Sequence, residues 1–446
     1  MDTRTIAPIV RRRTRLAGFV AVGMTAVLLV ACGNGGVPTA ADNGEPLART
    51  YDGPDVSLEF WNGFTGGDGP FMRELVEQFN DEHDNIAVSM EVQEWGDFYE
   101  TVPAAVGTGE GPHIGIMHVD QLATNAARNV VQPLDDVADV LELDEGEFSE
   151  PVWNAGDFGG QRYGIPLDVH PLGFYYNRTL MEEAGLDPDD PPTDRDSYME
   201  ALEAMQDAGI QGSWVSPHLF TGGLMFQSLL WQFGGQLYTE DGTEAAWNSP
   251  EGVEALEWMV GLVDEGHSPT DVGQDADHIA FMNDENAFIW NGIWMIQAYG
   301  EDEDLDWGVA PLPVIGDEAG VWAGSHNFVL MERADPDADE RQASVVFIDW
   351  ILEHSQEWAE AGQVPAADSA REDSTFTELE HQPTFADQLP DTQFPPAVPG
   401  IDDAQGFLAT AVNEAVLGEK SPQDALDDAA DAANEVLEEN RERFGQ

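Results

Sequence analysis

The alternation of apolar and polar positions first becomes regular at Val56, Leu58 and Phe60, the pattern of a half-buried strand. That strand delivers Trp61 and Asn62 to a glycine-rich loop, Gly63 to Gly69. Pro70 suits a first helical turn, and Phe71, Leu75, Val76 and Phe79 then recur at helical spacing. Ile86, Val88, Met90 and Val92 alternate as the next strand, which ends at Glu94-Trp95-Gly96 before a helix from about Asp97. His113 to Met117 reads as a short buried strand that ends at His118 and Asp120. This strand-loop-helix repetition predicts an α/β domain with a largely parallel sheet. Ligands of such sheets sit beyond the carboxyl ends of the strands, where Trp61, Asn62, Glu94, Trp95 and Asp120 all fall.

The middle of the chain is organised around Gly164 to Asn177, GIPLDVHPLGFYYN. Ile165 to Leu167 reads as a strand, Asp168 and His170 are polar, and Phe174 to Tyr176 reads as an aromatic strand. Pro171 and Gly173 argue against one continuous central strand. As a crossing between two lobes, this stretch brings polar groups and rings to a boundary where concave ligand sites form. Two ordinary strands joined by a Pro-Gly turn fit the same residues.

Leu180 to Gly185 predicts a helix closed by glycine, and Thr193 with Asp196 suggests a capping box for the helix that follows. Trp214 to Tyr238 is aromatic and glycine-rich, Ser249-Pro250 starts another helix, and Ala287 to Met295 reads as a buried strand and turn. Trp307 to Pro313 suggests a second crossing and Gly362 to Pro365 a third. Trp322 to Met331 reads as a loop and strand, and Ser344 to Glu353 as a helix. Two helices, about 403–418 and 422–443, finish the chain, and no internal repeat is visible.

Charge changes the picture most. The chain carries 86 Asp plus Glu against 17 Lys plus Arg, a formal net charge of −69. Such a surface repels itself at low salt. Disorder is one reading of high net charge, but 13 Trp and 21 Phe supply a core. The composition therefore points to a folded, halophilic protein, since concentrated salt shortens the screening length to a few ångströms. Nucleic acid and anionic membrane faces are excluded as partners for so negative a chain.

Residues 1–32 read as a targeting segment, with Arg11-Arg12-Arg13-Thr14-Arg15 before an apolar run too short for a spanning helix. Leu29-Val30-Ala31-Cys32 resembles a lipobox, which predicts cleavage and lipidation at Cys32 and an anchor on the outer face of the cell membrane. Cys32 is the sole cysteine, so no internal disulfide forms. Residues 33–54, rich in Gly, Pro and Ala, read as a flexible tether.

An ordered set of stretches carries a family likeness: FWNGFTGGDG, YYNRTLMEEAGL, WNGIWMI, WGVAPLPVIG, WAGSHNFVL, VFIDWI and GQVPA. Together they resemble the extracellular solute-binding proteins of sugar-importing ABC transporters, family 1, the group that includes maltose-binding protein. The resemblance implies an α/β, two-lobed periplasmic-binding-protein-like fold of type II, its lobes linked by several hinge crossings. Lobe 1 would comprise 55–167 plus 308–364, and lobe 2 would comprise 168–307 plus 365–446. It further implies a monomer without cofactor or metal that hands a neutral sugar or oligosaccharide to ABC permease subunits.

Sugar rings present apolar faces that stack on indoles, and hydroxyls that need paired donors and acceptors. Aromatic stacking adds about 0.5–1.5 kcal/mol beyond area burial. Tryptophans at strand ends or glycine loops are therefore the ligand candidates: Trp61, Trp95, Trp231, Trp290, Trp294 and Trp322. Trp153, Trp247, Trp258, Trp307, Trp350 and Trp358 default to the core. Asn62, Thr65, Asp68, Asp120, His170, Asn291, Ser325 and Gln363 complete the candidate set; His326 stands beside Ser325, though a lone histidine there more often serves structure. The resemblance raises Trp61, Trp294 and Trp322, matches Asp120 to the family's acidic residue after the third strand, and places His170 where relatives contact ligand. A histidine in place of the glutamate of maltose-binding proteins argues against maltose.

Three alternatives remain: a phosphorylated glycerol or sugar ligand, a secreted polysaccharide-degrading enzyme, or a sensor subunit. Only Arg128, Arg162 and Arg178 lie near candidate segments, too few cations for a phosphate site. No GxSxG motif is present, and His113, His118 and His170 lack metal-ligand spacing. One consequence of the charge is directly measurable. The folded circular-dichroism signal is expected to disappear below about 0.1 M salt, where the screening length reaches about 10 Å. Full structure in that buffer would remove the halophile reading.

Overall fold

The computed structural model describes residues 46–216, 221–270 and 272–444. The leader segment with Cys32, and residues 33–45 of the expected tether, lie outside them. The remainder of that tether is not a free linker. Leu47 packs on the first core, and Arg49 forms a bidentate pair with Asp349 at 2.7 and 2.9 Å.

The first sheet begins with β1 (Val56–Asn62), followed by α1 (Gly69–Glu82), β2 (Ile86–Val92), α2 (Trp95–Thr108), β3 (Ile114–His118) and α3 (Val119–Ala127). Each element follows from its pattern. Leu58 and Phe60 face inward from β1, while Met72, Leu75, Val76 and Phe79 form the buried stripe of α1 behind Pro70. Next come β4 (Ile165–Pro166) and the ten-residue β5 (Asp168–Asn177). A fully buried helix, α4 (Thr221–Gln232), precedes β6 (Phe288–Gly292), β7 (Trp307–Ala310), β8 (Val321–Gly324) and β9 (His326–Leu330). Helix α5 (Ala338–Glu353), strands β10 (Val364–Pro365) and β11 (Thr392–Gln393), and helices α6 (Ile401–Val416) and α7 (Pro422–Phe444) complete the parts that position the site.

Two sheets result. The first runs β2-β1-β3-β9-β4, parallel across β2, β1 and β3 and antiparallel at β9 and β4. The second runs β10-β5-β8-β11, with β6 and β7 also paired to β5. Each has its own apolar core, one around Phe60, Phe79, Phe328 and Phe347, the other around Phe174, Phe226, Trp247 and Phe288.

Three expectations are corrected. Strand β5 is continuous and buried at every position, despite Pro171 and Gly173. On one side of β5 the partners change at Pro171, from Val364 opposite Val169 to Gly292 opposite Leu172; on the other, Pro171 stands opposite Ala323 at the end of the two-residue pairing with β8. Gly173 makes room for the Phe385 ring, which a Cβ would overlap. The return crossing is not at 307–313: β7 hydrogen-bonds to β5 in the second sheet, and the chain changes sheets at Ser325, between β8 and β9. The capping box of helix Arg195–Ala208 is made by Asp194 with Ser197, one residue later than Thr193 and Asp196 suggested.

The segments that pass between the sheets meet at one buried carboxylate. Asp168 is fully buried and accepts from His170 Nδ1 (3.1 Å), His326 Nδ1 (2.9 Å), the His326 backbone N–H (3.2 Å) and Trp358 Nε1 (2.7 Å). Strand β10 pairs with the backbone of Asp168 and Val169. Replacing Asp168 with Asn leaves one acceptor oxygen for these donors and turns an amide N–H₂ toward them. Each buried donor left unpaired costs about 1–3 kcal/mol. Asp168→Asn is therefore expected to lose about 2–4 kcal/mol in chemical denaturation at high salt; an unchanged midpoint would rule out this junction as a stability element.

Candidate functional site

A cavity of about 600 Å³ lies between the two sheets. Eight of the fourteen expected ligand residues line it: Thr65, Asp68, Trp95, Asp120, His170, Trp294, Trp322 and Gln363. The loop after β1 supplies Thr65 and Asp68, shaped by Asn62 Oδ1, which accepts from the Phe64 N–H at 3.2 Å. The start of α2 supplies Trp95, the turn after β3 supplies Asp120, and β5 supplies His170. The turn after β6 supplies Trp294, and β8 supplies Trp322.

Three glycines explain how the rings reach the cavity. A Cβ at Gly63 would overlap the Trp95 indole, one at Gly292 the Trp294 indole, and one at Gly324 the His170 ring. The two indoles thus rest on bare backbone, and His170 turns Nε2 toward Gly324, positions that only glycine leaves open. Trp95 stacks on His326 with centroids 5.5 Å apart and 14° between planes. Trp294 and Trp322 meet edge to face at 6.2 Å and 84°, with His170 about equally close to both, at 6.0 and 6.1 Å.

The remaining six do not line it. Strand alternation turns Trp61 to the face opposite Phe60, where it packs half-buried in the layer of Phe98 and Met117. Trp231 and Trp290 belong to the second core; Trp290 lies 6.4 Å from Trp258. Asn62, Asn291 and Ser325 spend their side-chain oxygens locally, on the N–H of Phe64, the N–H of Gly292 and the Asn327 amide. Conversely, the cavity includes Tyr99, His118 and Gln405, which sequence reasoning left out, and His326, which it read first as a structural histidine. His118 and His326 were visible only as strand-end histidines, and Gln405, on α6, left no local signal. Arg128, Arg162 and Arg178 do not line the cavity, and neither does any other Lys or Arg of the described residues. Arg162 instead pairs with Asp157 at 2.8 Å, and Arg178 with Asp189 at 2.6 Å.

Among the described residues, Asp68 Oδ1, Asp120 Oδ1, Gln363 Oε1 and Gln405 Nε2 are covered yet have no hydrogen-bond partner. Electrostatics follow from burial. Desolvation pushes Asp120 up to about 7, with Asp402 of α6 adding repulsion, against the α3 N-terminal amides that favour the charged form. Burial raises Asp68 in the same way. Burial and the neighbouring His326 depress His170 to about 4, and burial, with His326 and His170, holds His118 well below the ordinary imidazole range. Burial alone would raise Asp168, but His326 and His170 outweigh it and hold this carboxyl well below the usual range. Burial thus favours the neutral forms of His118, His170, Asp68 and Asp120, while Asp168 behind them is held as the carboxylate.

Residues 65–358 match the family model described as bacterial extracellular solute-binding protein. The maltodextrin-binding protein MdxE of Bacillus subtilis is 21% identical over 95% of this chain and 96% of its own length. The crystal structure of the cyclic alpha-maltosyl-1,6-maltose binding protein from Arthrobacter globiformis superimposes with a TM-score of 0.74 at 27% identity, covering 87% of this chain and all of that one. The structure of UgpB from Mycobacterium tuberculosis in complex with glycerophosphocholine gives a TM-score of 0.74 at 20% identity, with 87% and 99% covered. With a two-lobed α/β fold, an interlobe cavity and a family model matched over well more than half its length, the chain belongs to the bacterial extracellular solute-binding proteins.

Proposed function

We propose that this chain is the substrate-binding lipoprotein of an ABC importer, and that it captures a neutral sugar or oligosaccharide between its lobes. One observation carries the reading: the interlobe cavity combines the indoles of Trp95, Trp294 and Trp322 with four covered but unpartnered polar side-chain atoms. Indole faces suit the apolar faces of a sugar ring. The carboxylate oxygens of Asp68 and Asp120 accept hydroxyl protons, while the Gln363 and Gln405 amides offer an acceptor and a donor. The maltodextrin- and cyclic maltosyl-maltose-binding relatives support the same ligand class.

A phosphorylated ligand is disfavoured by charge. With two carboxylates and no Lys or Arg among the described lining residues, an added anion gains no counter-charge there. The lobes, which we place at 55–167 plus 326–364 and 168–324 plus 365–446, close on the ligand about the crossings, and the closed surface is what the permease reads. Cys32 anchors the exported monomer through lipid, and ATP hydrolysis falls to a separate subunit. Among the described residues no helix is long and apolar enough to cross a membrane, so the reading leaves membrane attachment to the lipid.

A thermal-shift screen of mono- and oligosaccharides in concentrated salt tests the ligand class. A true ligand at a hundred times its Kd stabilises by about 2.7 kcal/mol, so at least one carbohydrate should raise Tm clearly, and sugar phosphates and glycerophosphodiesters should not. A rise confined to the phosphorylated compounds would overturn the neutral-sugar reading. The two kinds of tryptophan separate in a second measurement. Trp294→Ala is expected to weaken carbohydrate binding at least tenfold with little change in the Tm of the empty protein. Trp231→Ala should instead cost about 3–5 kcal/mol of stability, as large-to-small core changes do. A large Tm loss for Trp294→Ala would assign that ring to the core.

A further inference from the structure

Three histidines from separate parts of the chain converge in the cavity. His118 ends β3, His170 lies in β5, and His326 begins β9. One nitrogen from each ring lies within 4.8 Å of the other two. Ring centroids are 4.3 Å apart for His170 and His326, 4.8 Å for His118 and His326, and 5.5 Å for His118 and His170. No sugar ring fits among groups this close, so the trio's shared focus suits something smaller.

The hydrogen bonds behind two of the rings fix which nitrogen is offered. The Asp168 carboxylate only accepts, so His170 and His326 must each carry their proton on Nδ1, at 3.1 and 2.9 Å from it. Nε2 of each neutral ring is then a lone-pair donor. On His118, Nδ1 lies 2.6 Å from the Tyr99 hydroxyl, whose oxygen also accepts the His118 backbone N–H at 3.0 Å; a hydroxyl both donates and accepts, so this bond orients the ring and leaves its proton to be set by what Nε2 meets. A carboxylate or hydroxyl behind Nδ1 is the arrangement that orients metal-binding histidines and raises their basicity. A sugar-contacting histidine does not require a shared carboxylate behind it and its neighbour.

We propose that His118, His170 and His326 form a binding site for a divalent transition-metal ion of the zinc class, with its open coordination positions turned to the cavity. Imidazole sets of this kind select zinc, cobalt, nickel and copper over magnesium and calcium. An ion about 2.0–2.1 Å from each nitrogen sets the nitrogens roughly 3.4 Å apart, against a present spread of up to 4.8 Å. Since Asp168 holds the His170 and His326 rings from behind, the closure falls to His118 and to the approach of the two sheets. The three ligands leave at least one position for water or for an oxygen of a cavity-bound molecule. Because His118 and His326 belong to the first sheet and His170 to the second, a bound ion joins the lobes at the crossing. The site shares the cavity with the proposed sugar site and does not depend on it.

The test is a Co²⁺ titration of the full mature protein in concentrated NaCl, with excess Mg²⁺ to occupy surface carboxylates, followed by visible absorption. One saturating equivalent with the intense bands of a four- or five-coordinate ion is expected. His170→Asn and His326→Asn keep a donor for Asp168 and delete Nε2; each should lower Co²⁺ affinity at least tenfold. His354→Ala, outside the cavity, should leave it unchanged. Zn²⁺ should raise the Tm of the wild-type protein and not of His326→Asn. Binding that never saturates, or that the Asn variants retain, would mean carboxylate association alone and overturn the site. A parallel carbohydrate titration in EDTA separates the two readings. Sugar binding without a cobalt site sinks the metal and leaves the sugar, and a cobalt site without any carbohydrate response does the reverse.

Discussion

A buried carboxylate at a junction of crossings is the constraint on which the cavity depends. Removing Asp168 from water is costly on its own, and the cost is offset only because four donors surround it. Those donors come from residues 170, 326 and 358, which lie far apart in sequence and in different elements. Their geometry is therefore mutually enforced: His170 and His326 cannot rotate away without stranding a charge, and Trp358 cannot leave the core without doing the same. Two cavity rings are thus fixed from behind by one group, which lets them present a defined edge to whatever occupies the space in front.

The aromatic surface of the cavity depends on a different constraint, the absence of side chains beneath it. Gly63, Gly292 and Gly324 each sit under a ring that a Cβ would displace. Trp95 and Trp294 lie half-buried at the edges of the cores and His170 is buried, all three backed by main chain. Such a surface is stiff, because the indoles have backbone on one side and neighbouring rings at their edges. Ligand hydroxyls then meet preplaced partners, and little conformational entropy is lost on binding.

Much of the fold was legible because many elements obey simple periodicities and start signals. The alternation of Leu58 and Phe60, the helical stripe ending at Phe79 and the Ser249-Pro250 start are local signals that tertiary contacts did not override. Pro171 and Gly173 misled for the opposite reason. Their effect depends on where the strand's partners begin and end and on the Phe385 ring, neither of which is written nearby in sequence. The tryptophans show the same limit. Trp61 sits at a strand end as expected, yet strand parity turns it to the wrong face, and Trp290 follows the same rule in β6. The histidine trio had no spacing to read, since residues 118, 170 and 326 meet only once three strands are assembled.

The cavity's charge decides between ligand classes more firmly than its shape does. Asp120 of α3 faces Asp402 of α6 across the lobes, and Asp402 also accepts from Thr124 Oγ1 at 3.2 Å. Two carboxylates are thus brought near each other in a place from which water is largely withdrawn, with Asp68 elsewhere on the wall. A third negative group there would find repulsion and no cation. A neutral polyol brings donors that the unpartnered carboxylate oxygens lack, and it lowers the cost of holding those groups out of water. Binding and lobe contact then favour each other through the same atoms, because closing the lobes without such donors leaves the carboxylates bare.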